Sequence, residues 1–138
     1  MSYLLDTNVV SELRKGPRCN PGVAAWLADV EEELYLSALV VGEIRLGIER
    51  VRRRDPAGAS ALDRWLIRIQ AEYGHRVLPI TAEIAEAWGR LAAPASLPVV
   101  DGLMAATAMV HGLTLVTRNV RDLSRTPAAT LNPFSGSR

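Results

Sequence analysis

Apolar positions along the chain switch between two periods in a regular order. Tyr3-Leu4-Leu5 is a short continuous apolar run that stops at Asp6-Thr7-Asn8, after which Val9, Val10 and Leu13 recur at helical spacing. This predicts a strand and then a helix. Pro21 suits a first helical turn, and Val23, Trp26, Leu27 and Val30 supply the apolar stripe of a second helix. Leu34-Tyr35-Leu36 repeats the strand signal and ends at Ser37, a good capping residue. Beyond it, Leu39, Val40, Ile44, Gly47, Ile48 and Val51 mark one face of a longer helix.

Asp55-Pro56-Ala57-Gly58 breaks the pattern, and Leu62, Trp65, Leu66, Ile69 and Tyr73 then predict another amphipathic helix ending at Gly74. Residues 76–80 read as a third strand with a proline near its end, and Thr81 can cap a helix carrying Ile84, Ala85, Trp88 and Leu91 inward. A very apolar helix is expected over 99–110, a fourth strand over 113–116 and a short fifth near an edge over 129–131. The tail after Pro133 is expected to be loose. Strands alternating with helices, each crossover long enough for parallel pairing, predict one domain over 1–138. Its fold class is α/β, three layers with a central, mainly parallel β-sheet flanked by helices. In such sheets function gathers at the carboxyl ends of the strands.

Composition narrows the class. Hydrophobic residues make up 49% and charged residues 22% of the 138, the balance of a folded domain and not of a disordered tail. Sixteen basic against fifteen acidic residues leave a net charge of +1, so any nucleic-acid contact must come from a local patch. No apolar run reaches the roughly 20 residues of a membrane span. Asp6 interrupts the amino terminus before a signal-like region develops. A soluble, cytoplasmic protein is expected. The single cysteine, Cys19, cannot form an internal disulfide.

The chemistry lies in the acids. Asp6 directly follows the first predicted strand, Glu43 lies early in the helix after the second, and Asp101 opens the apolar helix before the fourth. That fourth strand leaves into Thr117-Arg118-Asn119-Val120-Arg121-Asp122, which brings another carboxylate and a carboxamide to the same rim. Asp101 is the only charged residue from Ala92 through His111, a stretch otherwise suited to burial, and Glu43 lies beside the apolar stripe where a charge wants a partner. Several carboxylates crowded together repel one another unless some are protonated or a cation sits between them. Oxygen ligands without clustered His or Cys favour a hard ion, Mg²⁺ or Mn²⁺. Such an ion can bind a substrate phosphate and activate water for in-line attack, which points to phosphodiester hydrolysis.

Four stretches in this order, Leu4-Leu5-Asp6-Thr7-Asn8-Val9-Val10-Ser11-Glu12-Leu13, Ser37-Ala38-Leu39-Val40-Val41-Gly42-Glu43-Ile44, Asp101-Gly102-Leu103-Met104-Ala105-Ala106-Thr107-Ala108 and Leu115-Val116-Thr117-Arg118-Asn119, resemble the PIN-domain ribonucleases. The likeness extends to the VapC toxins, FitB-like members included, and runs from Tyr3 to Phe134. The resemblance implies a PIN fold, Mg²⁺- or Mn²⁺-dependent endoribonuclease activity that leaves a 3′-hydroxyl and a 5′-phosphate, a VapB-type antitoxin as partner, and a homodimer. It aligns Asp6, Glu43 and Asp101 with the three central acids of the family pattern. Relatives differ at the fourth position, for which Asp122 is taken here and Asn119 is the alternative.

On this reading Asp6 and Asp101 are the direct metal ligands, and Glu43 and Asp122 complete the catalytic set. Thr7, Thr117 and Asn119 support them, although capping and strand-end bonding would equally account for the two threonines. Arg118 is the candidate for RNA phosphate contact. The run Arg50, Arg52, Arg53 and Arg54 is better read as a solvated helix end at the negative pole of the dipole than as an RNA or antitoxin contact. Trp26, Trp65 and Trp88 fall on apolar stripes and are assigned to packing. A rival enzyme class, with Asp6 as a phosphoryl-transfer nucleophile, lacks the second acid expected at Asn8 and a lysine near the fourth strand. The non-enzymatic alternative is a PIN-like module that binds RNA or protein without cutting.

Overall fold

The structure, a computed structural model, describes residues 2–136. A five-stranded, all-parallel sheet runs through it in the order β3-β2-β1-β4-β5. Its strands are β1 (Tyr3–Leu5), β2 (Leu34–Ser37), β3 (Val77–Leu78), β4 (Thr114–Val116) and β5 (Thr130–Leu131). The helices are α1 (Thr7–Leu13), α2 (Pro21–Asp29), α3 (Ala38–Arg52), α4 (Pro56–Tyr73), α5 (Ala82–Ala92), α6 (Val99–His111) and α7 (Val120–Leu123).

Leu4 is paired with Tyr35 on one side and Leu115 on the other, so β1 is the middle strand, and Leu4, Leu5, Leu36, Leu115 and Val116 are fully buried. Strands covered on both faces read as continuous apolar runs, as these do. The helices pack in pairs, α3 with α4 and α5 with α6, around the buried Val40, Ile44, Leu66, Ile69, Leu91 and Met104. The chain winds outward from β1 through β2 to β3 and then crosses to β4 on the other side of β1. The strand order therefore reverses between β1 and β4, and a crevice is expected outside their carboxyl ends.

Two expectations need correction. The third strand shrinks to two residues, because residues 74–76 form a 3₁₀ turn entered at Gly74, whose φ of +54° favours glycine. There the Arg76 guanidinium donates to the Leu34 carbonyl at 2.7 Å. The segment after β4 coils into α7, a helix the apolar pattern does not show. The tail after Pro133 is not loose where it begins: Phe134 is buried and Ser135 is bonded to Asn20. The rest of the expected loose tail, residues 137 and 138, lies outside the described residues. The short fifth strand stands at the sheet edge as expected. Among the described residues no helix is long and apolar enough to cross a membrane.

Candidate active site

Asp6 comes straight off β1, where its backbone N–H still pairs with the Val116 carbonyl of β4 at 2.9 Å. It is the N-cap of α1, its Oδ1 accepting the Thr7 N–H at 2.7 Å. Capping and chemistry are therefore not alternatives for this residue, because the second oxygen is left for another partner. That oxygen, Oδ2, accepts the Thr117 hydroxyl at 2.7 Å, and both side chains are buried. Thr117 Oγ1 in turn accepts the Asn119 N–H at 3.0 Å, which shapes the turn into α7.

Ser37 ends β2 and caps α3 through the Leu39 N–H, which sets the phase of that helix and brings Glu43 round toward α1. The Glu43 side chain is exposed, not wedged into the apolar stripe, and its partner is a hydroxyl: Thr7 donates to Oε1 at 2.5 Å. Asp101 stands in the first turn of α6, half-buried, without a hydrogen bond or ion pair among the described residues. Burial pushes its carboxyl above the ordinary range, and the charges of Asp6, Asp122 and Glu43 push it further. All four predicted acids thus share one electrostatic neighbourhood. Asp122 lies exposed on α7, and Asn119 is the N-cap of that helix without a side-chain capping bond.

Among the described residues, no three acidic, His or Cys side chains close into a ready-made metal cage. Asp6 follows β1, Glu43 lies on the helix after β2 and Asp122 on the helix after β4, so the acids stand along the carboxyl edge of the sheet, and the charges of the other three act on Asp101. Oxygen donors alone, with no base facing Asp101, fit a hard divalent ion that keeps most of its waters and takes one or two carboxylates directly. Zinc or copper would need nitrogen or sulfur ligands that this rim lacks.

Two residues at this rim escaped the sequence reading. Asn8 bridges its parts: its Oδ1 accepts the Arg118 N–H at 3.2 Å, while its Nδ2 lies 3.4 Å from Thr117 Oγ1 and 3.5 Å from Asp6 Oδ2. Its position two residues after Asp6 was the available signal. Phe134 lies under Arg118, with the guanidinium carbon 4.0 Å from the ring centroid, and nothing in the local sequence marks it. Of the arginine run, Arg52 is taken up by Glu49 and Asp63, each at 3.0 Å or less, whereas Arg50, Arg53 and Arg54 stay exposed. Trp26 packs edge-on against Tyr3, with centroids 5.2 Å apart, and Trp88 lies against Gly102. Cys19 is free and burial raises its thiol pKa, the opposite of an activated nucleophile.

The sequence pattern of the PIN domain matches residues 3–129. The chain belongs to the PIN domain family. Toxin FitB of Neisseria gonorrhoeae is 32% identical over 139 aligned positions, covering 95% of this chain and 97% of that one. A VapC ribonuclease of Sinorhizobium fredii is 33% identical, covering 95% and 96%. The crystal structure of FitAcB from Neisseria gonorrhoeae superposes with a TM-score of 0.85 at 34% identity, covering 96% of this chain and 98% of that one. As a PIN domain the protein has the expected fold.

Proposed function

We propose that this PIN domain is a Mg²⁺-dependent endoribonuclease, with Mn²⁺ as a substitute, and the toxin of a toxin–antitoxin pair. One observation carries the reading. Asp101 is half-buried beside three other acids with no base to neutralise it, an arrangement that disfavours its own charged form unless a cation is supplied. Relatives named as a toxin and as a ribonuclease, alike over nearly the whole chain, support RNA as the substrate and a VapB-type antitoxin as partner. The homodimer and the cytoplasmic setting remain what the motif resemblance implies, and no helix among the described residues is long and apolar enough to cross a membrane.

Asp6 and Asp101 are the residues that would hold the ion, and Glu43 and Asp122 complete the negative rim. When bound, Mg²⁺ would supply Lewis acidity to the scissile phosphate and lower the pKa of the attacking water. Thr117 fixes the rotamer of Asp6 by donating to one of its oxygens, and Thr7 does the same for Glu43. Asn119 has a side-chain carbonyl free to orient a water. Arg118 brings the positive charge that a phosphodiester needs at an otherwise acidic rim.

The test is cleavage of RNA by purified protein with Mg²⁺ and with EDTA, alongside Asp6→Asn. Asparagine caps a helix as well as aspartate does, so the fold should survive while cleavage falls by about 100-fold or more. Equal cutting by the variant would remove Asp6 from the site. Calorimetric titration of Mg²⁺ and Mn²⁺, with Asp101→Ala as control, separates the nuclease from a non-catalytic module: no uptake by the wild-type protein favours the module.

A further inference from the structure

The chain after Pro133 is seated where a loose tail is expected, and Asn132 begins the turn that seats it. Asn132 Oδ1 turns the backbone by accepting the Phe134 N–H at 3.0 Å. Asn20, the N-cap of α2, then clasps Ser135 from both sides, donating to its carbonyl at 3.2 Å and accepting its N–H at 3.0 Å. The approach is so close that a Cβ at Gly22 would come within 2.4 Å of the Pro133 carbonyl oxygen and of the Ser135 nitrogen. The result is to place the Phe134 ring, 7% exposed, beneath the guanidinium of Arg118.

Beside this stack opens a cleft of about 580 Å³ lined by Asn20, Arg118, Asn119, Arg121, Asp122 and Ser135. Neither arginine has an ion-pair partner among the described residues. The one acid that lines the cleft is Asp122, and the buried Glu12 nearby is already held by Lys15 at 2.6 Å. Two guanidiniums against one carboxylate leave the cleft positive, in contrast to the rim it adjoins. Asp122 belongs to both, so the cleft continues the acid site along the surface. Planar guanidiniums with hydroxyl and amide groups around them are the donor set for a phosphodiester.

We propose that this cleft binds a backbone phosphate of the RNA strand next to the one that is cut, with Arg118 and Arg121 as its charges and Phe134 as the positioning residue that holds Arg118 toward it. The proposal rests on the nuclease reading above. Stacking on Phe134 restricts the long arginine side chain before RNA arrives, so less freedom is lost on binding. Arg121 needs no such support, because α7 already points it at the cleft wall.

The experiment is fluorescence anisotropy of a labelled single-stranded RNA of mixed sequence, in EDTA so that nothing is cut, over a series of salt concentrations. Arg118→Ala and Arg121→Ala should each weaken binding and flatten the plot of log affinity against log salt by about 0.7. Phe134→Leu should weaken binding about threefold to tenfold and flatten the plot as Arg118→Ala does. Phe134→Tyr should restore both, and the Phe134→Leu, Arg118→Ala pair should be no worse than Arg118→Ala alone. Wild-type slope and affinity in Phe134→Leu would overturn the positioning role, and wild-type slopes in both arginine variants would overturn the cleft. Arg121→Ala, which leaves the Arg118–Phe134 stack in place, decides the cleft even where Phe134→Leu fails to fold. Cleavage of the same RNA by the wild-type protein with Mg²⁺ is run in parallel. If that fails, the nuclease reading falls and takes this proposal with it, whereas wild-type slopes in the arginine variants with cleavage intact sink this proposal alone.

Discussion

Thr117, one residue past β4, donates its hydroxyl to Asp6 Oδ2, one residue past β1, at 2.7 Å across 111 positions of sequence. The bond crosses the two strands between which the sheet order reverses, so the acid that leads the site is held by the strand that forms its other wall. A carboxylate at a strand end would otherwise choose among rotamers.

Thr117→Val keeps the volume and removes this donor, leaving buried Asp6 Oδ2 with only the long contact to Asn8 Nδ2 and the Asn119 N–H without its acceptor. We expect a loss of about 1–3 kcal/mol in urea unfolding, together with slower RNA cleavage. Thr117→Ser should retain most of both. A Val variant as stable as the wild-type protein would mean that the bond is incidental.

Asp101 titrates above its ordinary value of 3.8, first because of burial and then because of Asp6, Asp122 and Glu43. Between that value and the raised one, the folded chain holds a proton that the unfolded chain has released. Stability from this group is therefore present at acid pH and is lost as pH rises through the raised value. In EDTA, Asp101→Asn should melt higher than the wild-type protein near neutral pH, and the gap should close on acidification. Mg²⁺ should raise the melting temperature of the wild-type protein and not of the variant. Thermal melts across pH, with and without the ion, check each sign.

Glu12 shifts the other way. Its buried carboxylate accepts from Lys15 at 2.6 Å and from the Asn20 N–H at 2.8 Å, and the Lys15 bond is the main cause that holds it below its ordinary 4.5. Its contribution is present above 4.5 and is lost as pH falls through the lower folded value. Glu12→Ala should cost about 1–3 kcal/mol at neutral pH, and less in strong acid. Equal losses at both pH values would show packing, not charge, to be responsible.

Gly102 follows Asp101 on α6, and a Cβ there would lie 2.9 Å from two atoms of the Trp88 indole. Gly102→Ala should therefore push α6 from α5, at a cost of about 1–3 kcal/mol, and shift Asp101 enough to slow cleavage. Trimming the ring with Trp88→Leu in the same chain should recover part of the loss relative to the sum of the single changes. Additive effects in that double-mutant comparison would place the strain elsewhere.

Much of the fold was legible because strands and helices that bury one face, or both, must repeat their apolar residues at the matching period. The runs at Leu4-Leu5 and Leu34-Tyr35-Leu36, and the stripe from Val40 to Ile48, carry that signal plainly. The third strand was overread because Val77, Leu78 and Ile80 are apolar, although Gly74 and Pro79 confine the ladder to two residues. Helix α7 was missed because four residues are too few to show a period.

The candidate acids were visible one at a time, as charges at strand ends or in an apolar stretch. That Asp101 feels the other three follows from the strand order, which no local window contains.

Taken by itself, the sequence determined the α/β class and the order of the elements, since each follows from residue type and local spacing. Tertiary structure alone decided that Thr117 holds Asp6, that Thr7 holds Glu43, and that the end of the chain returns to α2 and sets Phe134 under Arg118. The physical reason is that periodicity reports which face of an element is buried, whereas a side-chain pairing across most of the chain depends on strand register and on where the packed core leaves room.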